Sequence, residues 1–311
     1  MLYTTLPPFL TRMIIKILHK YYRISQNYPE ALKCWYYIKT GKRLNLSNPI
    51  TINEKIQWLK VYDCNPLKTL LTDKYLVRQY IKDKIGEQYL VKLLGVWDNA
   101  ENIDFHTLPS KFVLKVNHGS GWNIIIRNKN LMNIEQCKKK LNYWLQQNFA
   151  FKCGYELHYR HIKPLIIAEE YLENIENALY DYKFLCFHGD PKFCWIEKKD
   201  KINPQRTIYN QLFEKQPFQI RIKSELQNFE KPDNYEQMFD IATKLSAGFP
   251  FVRVDLYNIQ GRILFGELTF TSTSGLLKIY PDEYNKILGD FINLPLLLDG
   301  AKKYDKRLFK V

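Results

Sequence analysis

The chain has 311 residues, 46% of them hydrophobic and 25% charged, which describes a globular protein with room for two or three lobes and excludes a disordered chain. A net charge of +14, from 46 Lys and Arg against 32 Asp and Glu, favours an anionic partner such as a nucleotide, an acidic glycan or a membrane surface. The basic residues are spread without nucleic-acid motif spacing, which argues against nucleic acid, and the six cysteines show no C-x-x-C pair or metal-finger spacing, so they read as reduced core residues of a cytoplasmic protein.

No run of about 20 apolar residues is present to span a bilayer. Phe9 to Arg23 mixes apolar residues with charges throughout, which predicts an amphipathic helix and not a signal peptide. Such a helix either packs on the body or rests peripherally on an anionic inner membrane face. Residues 30 to 62 continue helical and aromatic, with Pro49-Ile50-Thr51 suited to start a helix at Asn53-Glu54-Lys55-Ile56-Gln57-Trp58, and read as a packing segment. Thr72 or Asp73 can cap a further helix and place Lys74 in its first turn, where a lysine opposes the helix dipole unless an anion binds nearby.

Tyr89 to Trp97 reads as a strand. Lys111 to Lys115, the loop Asn117-His118-Gly119-Ser120-Gly121-Trp122 and Ile124 to Arg127 read as a hairpin. Its glycines let the backbone approach a ligand, and its N–H groups and flanking cations can offset phosphate charge, although an ordinary turn has the same composition. Ile134 to Phe149 fits an amphipathic helix with Leu141, Trp144 and Leu145 inward. Leu165 to Glu173 is a buried strand ending in carboxylates, which line a cleft or simply meet solvent.

Beyond Asp181 the pattern changes to antiparallel hairpins, Tyr182–Phe187 with Lys192–Ile196 and Phe251–Tyr257 with Arg262–Thr269, separated by a helix from Asn234 to Ala247. Arg253 and Asp255 are two residues apart and share a face, and the turn can bring Glu267 and Thr269 opposite them. Two carboxylates and a cation so placed suit either Mg²⁺ bridging phosphates or a cross-strand salt bridge.

Asp73-Lys74, Val113-Leu114-Lys115 with Gly119-Ser120-Gly121, Glu169-Glu170-Tyr171-Leu172, Arg253-Val254-Asp255 and Gly266-Glu267-Leu268-Thr269 resemble, in this order, the motifs of ATP-grasp enzymes. Asn53 to Trp58, Asn117 to Gly121, Asp181-Tyr182-Lys183-Phe184 and Gly248 to Tyr257 are similar in particular to the TupA-like branch, which is associated with bacterial teichuronopeptide and surface-polysaccharide biosynthesis; the likeness runs from about residue 50 to 295. The resemblance implies an α+β ATP-grasp fold in which two lobes clasp ATP. It divides the chain into a helical segment at 1–70, a small lobe with the glycine flap at 71–168 and a C-terminal lobe with the metal site at 169–311.

It further implies that Lys74 and Lys115 contact the ATP phosphates under a flap of Gly119, Ser120 and Gly121. Glu169, Glu170, Tyr171 and Leu172 then form the segment whose backbone reads adenine, and Glu176 binds the ribose. Arg253 is the cation beside the transferring phosphoryl group, Lys183 is a second catalytic candidate, and Asp255, Glu267 and Thr269 hold Mg²⁺. Thr269 stands where many relatives have Asn, and His118 and Trp122 stand where the flap is commonly plainer. The implied activity is a carboxylate-amine ligase working through an acyl phosphate, with an acidic sugar or glycan precursor as acid and an amine or amino acid as acceptor. A sugar kinase in the same cleft, a glycosyltransferase and a non-catalytic basic scaffold for anionic glycan at the membrane are the alternatives. No Walker G-x-x-x-x-G-K and no G-x-S-x-G elbow occurs.

Overall fold

Two antiparallel sheets, each with one apolar face and one mixed face, organise the chain. The computed structural model describes residues 9–10, 13–14, 17, 20–21, 25–152, 154–172, 180–198, 205–221 and 228–295.

The stretch expected to continue helical over residues 30–62 is two helices, α1 (Tyr28–Thr40) and α2 (Ile52–Tyr62). Gly41, at φ 69°, ends α1 because a left-handed residue returns its N–H to the carbonyl of Tyr37. The helix start that the sequence suggested after Pro49-Ile50-Thr51 is present, and Thr51 and Glu54 make it with a reciprocal capping box. Helices α3 (Pro66–Thr72) and α4 (Val77–Lys84) follow. Lys74 lies in the turn between them and not in a first helical turn, and neither Thr72 nor Asp73 caps α4, whose N-cap is Leu76 with no side-chain bond. Asp73 ends α3, and its Oδ1 holds the turn by accepting from the N–H groups of Tyr75 and Leu76 at 2.8 and 3.1 Å.

The small sheet contains β1 (Leu93–Trp97), β2 (Phe112–Val116), β3 (Asn123–Ile126) and β4 (Ile166–Glu170) in the order β1-β4-β2-β3. Alternation sends Phe112, Leu114 and Val116 into a core with Cys137, Leu141 and Trp144 of α5 (Ile134–Leu145), and leaves Val113 and Lys115 on the opposite face. Leu145, expected inward, is only partly buried at the edge of that core. Strand β4 carries this sheet through Glu170.

The large sheet, in the order β10-β9-β5-β6-β7, contains β5 (Tyr180–Phe187), β6 (Asp190–Lys198), β7 (Gln205–Tyr209), β9 (Phe251–Ile259) and β10 (Arg262–Thr269). Between them β8 (Gln219–Ile220) pairs with β11 (Ile279–Tyr280), while α6 (Tyr235–Ser246) and α7 (Tyr284–Asp290) complete the elements discussed below. One face buries Phe184, Cys186, Val252 and Val254 against α6, together with Leu71, Val77 and Ile81 from the chain around α3 and α4. The other face changes character along its strands. Leu185, Phe187 and Phe251 pack against α1 and α2, whereas Asp181, Lys183, Arg253 and Asp255 further along the same strands line a cleft. The same alternation therefore supplies both a core and a site.

Cys34 is partly buried, and Cys64, Cys137, Cys186 and Cys194 are buried free thiols. Cys153, Lys16, Arg23 and Glu176 lie outside the described residues. Among the described residues no helix is long and apolar enough to cross a membrane.

Candidate active site

A cleft of about 540 Å³ separates the two sheets. Lys115 of β2 and Glu169 of β4 project from the small sheet, and Lys183, Arg253, Asp255 and Glu267 from the large one. Lys74, Ser120, Gly121, Glu170, Tyr171 and Leu172 complete the sequence-predicted residues that reach it. Gly119 and Thr269 stand just behind its surface, joined to it by hydrogen bonds with Lys74 and with Arg253 and Glu267.

The pairing of β9 with β10 places Glu267 opposite Asp255 and Thr269 opposite Arg253. A regular continuation of the hairpin would not do so, because Phe265 pairs with Leu256 on the buried face and Glu267, two residues on, would share that face. An extra residue at Gly266 shifts the register and turns Glu267 to the cleft. The bulge is tight: a Cβ at Gly266 would lie 3.0 Å from the carbonyl oxygen of Asp255 and 3.3 Å from the ring of Tyr257.

Arg253 is the hub of this face. Its Nε and Nη2 donate to the two oxygens of Asp255 at 2.6 Å each, Nη2 also reaches Glu267 and Thr269 at 3.1 Å, and Nη1 donates to Ser272 Oγ at 3.0 Å. The cross-strand salt bridge anticipated from spacing is therefore present. Burial pushes the Asp255 carboxyl up to about 6, against the opposing pull of Arg253. Burial also disfavours ionised Glu267, but Arg253 and Lys74 outweigh it and hold that carboxyl below its usual range.

Asp255 and Glu267 offer hard oxygen donors on adjacent strands, with the hydroxyl of Thr269 2.9 Å from Glu267 Oε1. Mg²⁺ is commonly held by one or two carboxylates plus substrate phosphates and water, so this donor set fits it without a closed cage of side chains. Among the described residues no group of three or more His, Cys, Asp or Glu converges to hold a metal, at this site or elsewhere.

Across the cleft, Lys74 is fixed at both ends, its N–H donating to the carbonyl of Asn117 at 3.2 Å and its Nζ to the carbonyl of Gly119. Burial lowers its pKa, with Glu267 opposing the shift. Lys115 pairs with Glu169, whose other oxygen accepts from Arg78 at 3.2 Å. Arg78 carries no motif of its own in the sequence, and only the packing of α4 brings it there.

The loop after β2 is bolted down on both sides. Asn117 is fully buried, and its side chain donates to Asp73 and to the carbonyl of Lys163 at 2.9 Å while accepting from the Leu165 N–H at 2.7 Å. His118 Nε2 lies 3.1 and 3.2 Å from the carbonyls of Trp144 and Gln147, so it carries the proton and donates. Burial lowers the pKa of this imidazole. The buried ring of Trp122 stacks on Trp144 at 6.3 Å. These contacts give His118 and Trp122 the structural role that the sequence did not reveal: they anchor the flap to α5 and leave Ser120 and Gly121 exposed between them.

Sequence reasoning named Lys183 but not its partners. Asp181 and Glu197 hold its ammonium at 2.6 and 2.9 Å, and Arg206 binds Glu197 from the other side at 2.6 Å. Burial opposes the charged form, but Asp255, Asp181 and Glu197 raise the lysine pKa. Arg221, in the left-handed region at φ 78°, lines the same end of the cleft and makes no ion pair among the described residues. The alternation of Tyr180 to Phe187 could have flagged Asp181 as a neighbour of Lys183 on one face; nothing local marks Glu197 or Arg221.

A family model described as TupA-like ATP-grasp matches residues 54–293. No curated protein matches the chain. Among solved structures, the D-alanine–D-alanine ligase of Helicobacter pylori is similar at TM-score 0.40 and 16% identity, covering 78% of this chain and 69% of that one. The D-alanine–D-alanine ligase of Bacillus anthracis complexed with ATP gives 0.38 and 12% over 65% of this chain and 54% of that one. The phosphoribosylamine–glycine ligase of Thermotoga maritima gives 0.37 and 14% over 66% and 50%. The chain thus spans about half the length of the latter two, and at these scores the weight rests on the family match.

Proposed function

Because the chain belongs to the TupA-like ATP-grasp family and is an ATP-grasp enzyme, we propose that it joins a carboxylate to an amine at the expense of ATP. One observation carries the reading: a single cleft sets the cations Lys74 and Lys115 opposite Arg253 and the register-paired carboxylates Asp255 and Glu267. A carboxylate and a triphosphate repel each other, so bringing them into reaction requires this density of positive charge. Among the described residues the cleft is lined by no cysteine or histidine, which suits activation of a substrate carboxylate more than a protein nucleophile.

In this proposal Lys74 and Lys115 offset charge on the ATP phosphates, and Ser120 and Gly121 cover them and exclude water. The backbone of Glu169 to Leu172 reads adenine, and Glu176 is assigned to the ribose. Arg253 faces the transferring phosphoryl group. Asp255 and Glu267, with Thr269 beside them, would hold Mg²⁺, which supplies Lewis-acid neutralisation of phosphate charge. Lys183 and Arg221 receive the negative charge of the acid, for which an acidic sugar of a surface polysaccharide is the proposed class. A carboxylate oxygen attacks the γ-phosphorus and ADP leaves; the amine nitrogen then attacks the acyl carbon, loses its proton, and phosphate departs with that oxygen.

Peripheral contact with an anionic membrane face belongs to the same proposal. Phe9, Met13, Ile17 and Tyr21 are exposed at four-residue helical spacing, with Lys20 beside them.

Incubation with ATP, uronic acid donors and a panel of amines, followed by mass spectrometry, tests the chemistry. The expected products are ADP, phosphate and an amide, with one ¹⁸O from labelled carboxylate in the phosphate. A stable phosphosugar would instead establish a kinase, and unlabelled phosphate beside genuine amide would exclude the acyl phosphate.

A further inference from the structure

Helix α2 presents Asn53, Gln57 and Lys60 at positions i, i+4 and i+7, one face of a helix, and all three are buried although polar. Each of them binds the chain that follows β10. Asn53 makes a two-way amide bridge to the N–H and carbonyl of Leu277, both at 2.8 Å. Gln57 Nε2 donates to the carbonyls of Ser274 and Gly275 at 3.0 and 2.8 Å. Lys60 Nζ donates to the carbonyl and hydroxyl of Ser274 at 2.6 and 2.8 Å and to the carbonyl of Gly154 at 3.0 Å.

The segment they grip is unusual. Thr273, Ser274 and Gly275 are consecutively left-handed, at φ 50°, 55° and 68°, a conformation that a β-branched threonine strongly disfavours. Strain of this kind persists only where surrounding contacts over-determine it. Gly275 is closely covered, since a Cβ there would meet Gln57 Nε2 at 2.5 Å. The loop in turn reaches the site where Ser272 Oγ receives Nη1 of Arg253 at 3.0 Å.

We propose that Asn53, Gln57 and Lys60 are positioning residues: they hold the strained Thr271–Gly275 turn so that Ser272 orients the guanidinium of Arg253 toward the phosphoryl group in flight. The inference rests on the role given to Arg253 above. It makes α2 part of the catalytic apparatus, where the sequence alone suggested a packing segment.

The test compares affinity for MgADP with affinity for MgADP plus aluminium fluoride, a mimic of the transferring phosphoryl group, in the full-length chain by calorimetry. Wild type is expected to bind MgADP more tightly with the fluoride. Lys60→Met, Gln57→Leu and Ser272→Ala are expected to keep MgADP affinity within twofold and to lose at least tenfold of the fluoride enhancement, with Ser272→Thr restoring it. Ser272→Ala removes only a hydroxyl, so it informs even where the α2 variants fail to fold. Full enhancement in folded Ser272→Ala overturns the inference while leaving the ligase reading intact. Equal loss of MgADP affinity and enhancement overturns it too, since it denotes a purely structural role. Absence of any enhancement in wild type refutes the phosphoryl-transfer reading itself, and the inference with it.

Discussion

Asp255 and Glu267 face each other across β9 and β10 because one extra residue, Gly266, turns Glu267 from the buried face to the cleft. A bulge of this kind is a device for aiming a side chain. The nearest atom to a side chain at 266 is the backbone oxygen of Asp255, which cannot swing aside.

Gly266→Val is therefore expected to force the bulge open. Overpacking of this type costs about 1–3 kcal/mol. Thermal melting should show that loss, and Mg²⁺-dependent turnover should fall far more than MgADP binding. A variant with a lowered melting temperature and full turnover would show that the register of Glu267 is irrelevant to function.

Asp255→Asn and Glu267→Gln are expected to abolish turnover while nucleotide still binds, because charge neutralisation matters most as charge moves between oxygens. Steady-state kinetics beside calorimetry separates the two effects. Full activity in both variants would mean that the carboxylates serve only as partners of Arg253.

Lys115→Ala should weaken ATP binding by about ten- to a hundredfold, since a hydrogen bond to a charged group contributes about 1.5–3 kcal/mol. Glu169 keeps Arg78 as a partner in that variant, so the fold should survive. Unchanged affinity in calorimetry would remove Lys115 from the phosphate site.

The buried pair Glu156 and His158 makes stability depend on pH in opposite directions. Burial, with Lys68 and Lys60 adding to it, pushes His158 down to about 3, so the unfolded chain takes up a proton that the folded one refuses as pH falls below about 6.5. Stability from this group is thus full above that value and is lost on acidification toward pH 3. Burial pushes Glu156 up to about 7, against Lys60, so its contribution is lost as pH rises from about 4.5 through 7. Denaturant titrations from pH 4 to 8 should show His158→Phe reducing the acid-side loss and Glu156→Gln reducing the other. Variants whose pH dependence parallels wild type would contradict both assignments.

Replacing Phe9 and Ile17 with serine should reduce sedimentation with vesicles containing anionic lipid, because both are exposed apolar side chains at helical spacing with Met13 and Tyr21. Equal sedimentation of variant and wild type would assign these side chains to another contact.

Residues that follow one another in the chain were legible in the sequence, because capping, alternation and turn chemistry are local. The helix start after Thr51, the shared face of Arg253 and Asp255 and the cations flanking the glycine loop needed no knowledge of distant neighbours. Tertiary structure decided what local rules leave open. Strand parity is reset by a single inserted residue, so the side on which Glu267 emerges depended on how β10 bulges against β9. His118 and Trp122 gained a meaning only when α5 packed over the loop, and Asn53, Gln57 and Lys60 only when a turn more than 210 residues away came to lie on their helix. A polar side chain is buried when a backbone acceptor is waiting for it, and that acceptor is supplied by a remote part of the chain.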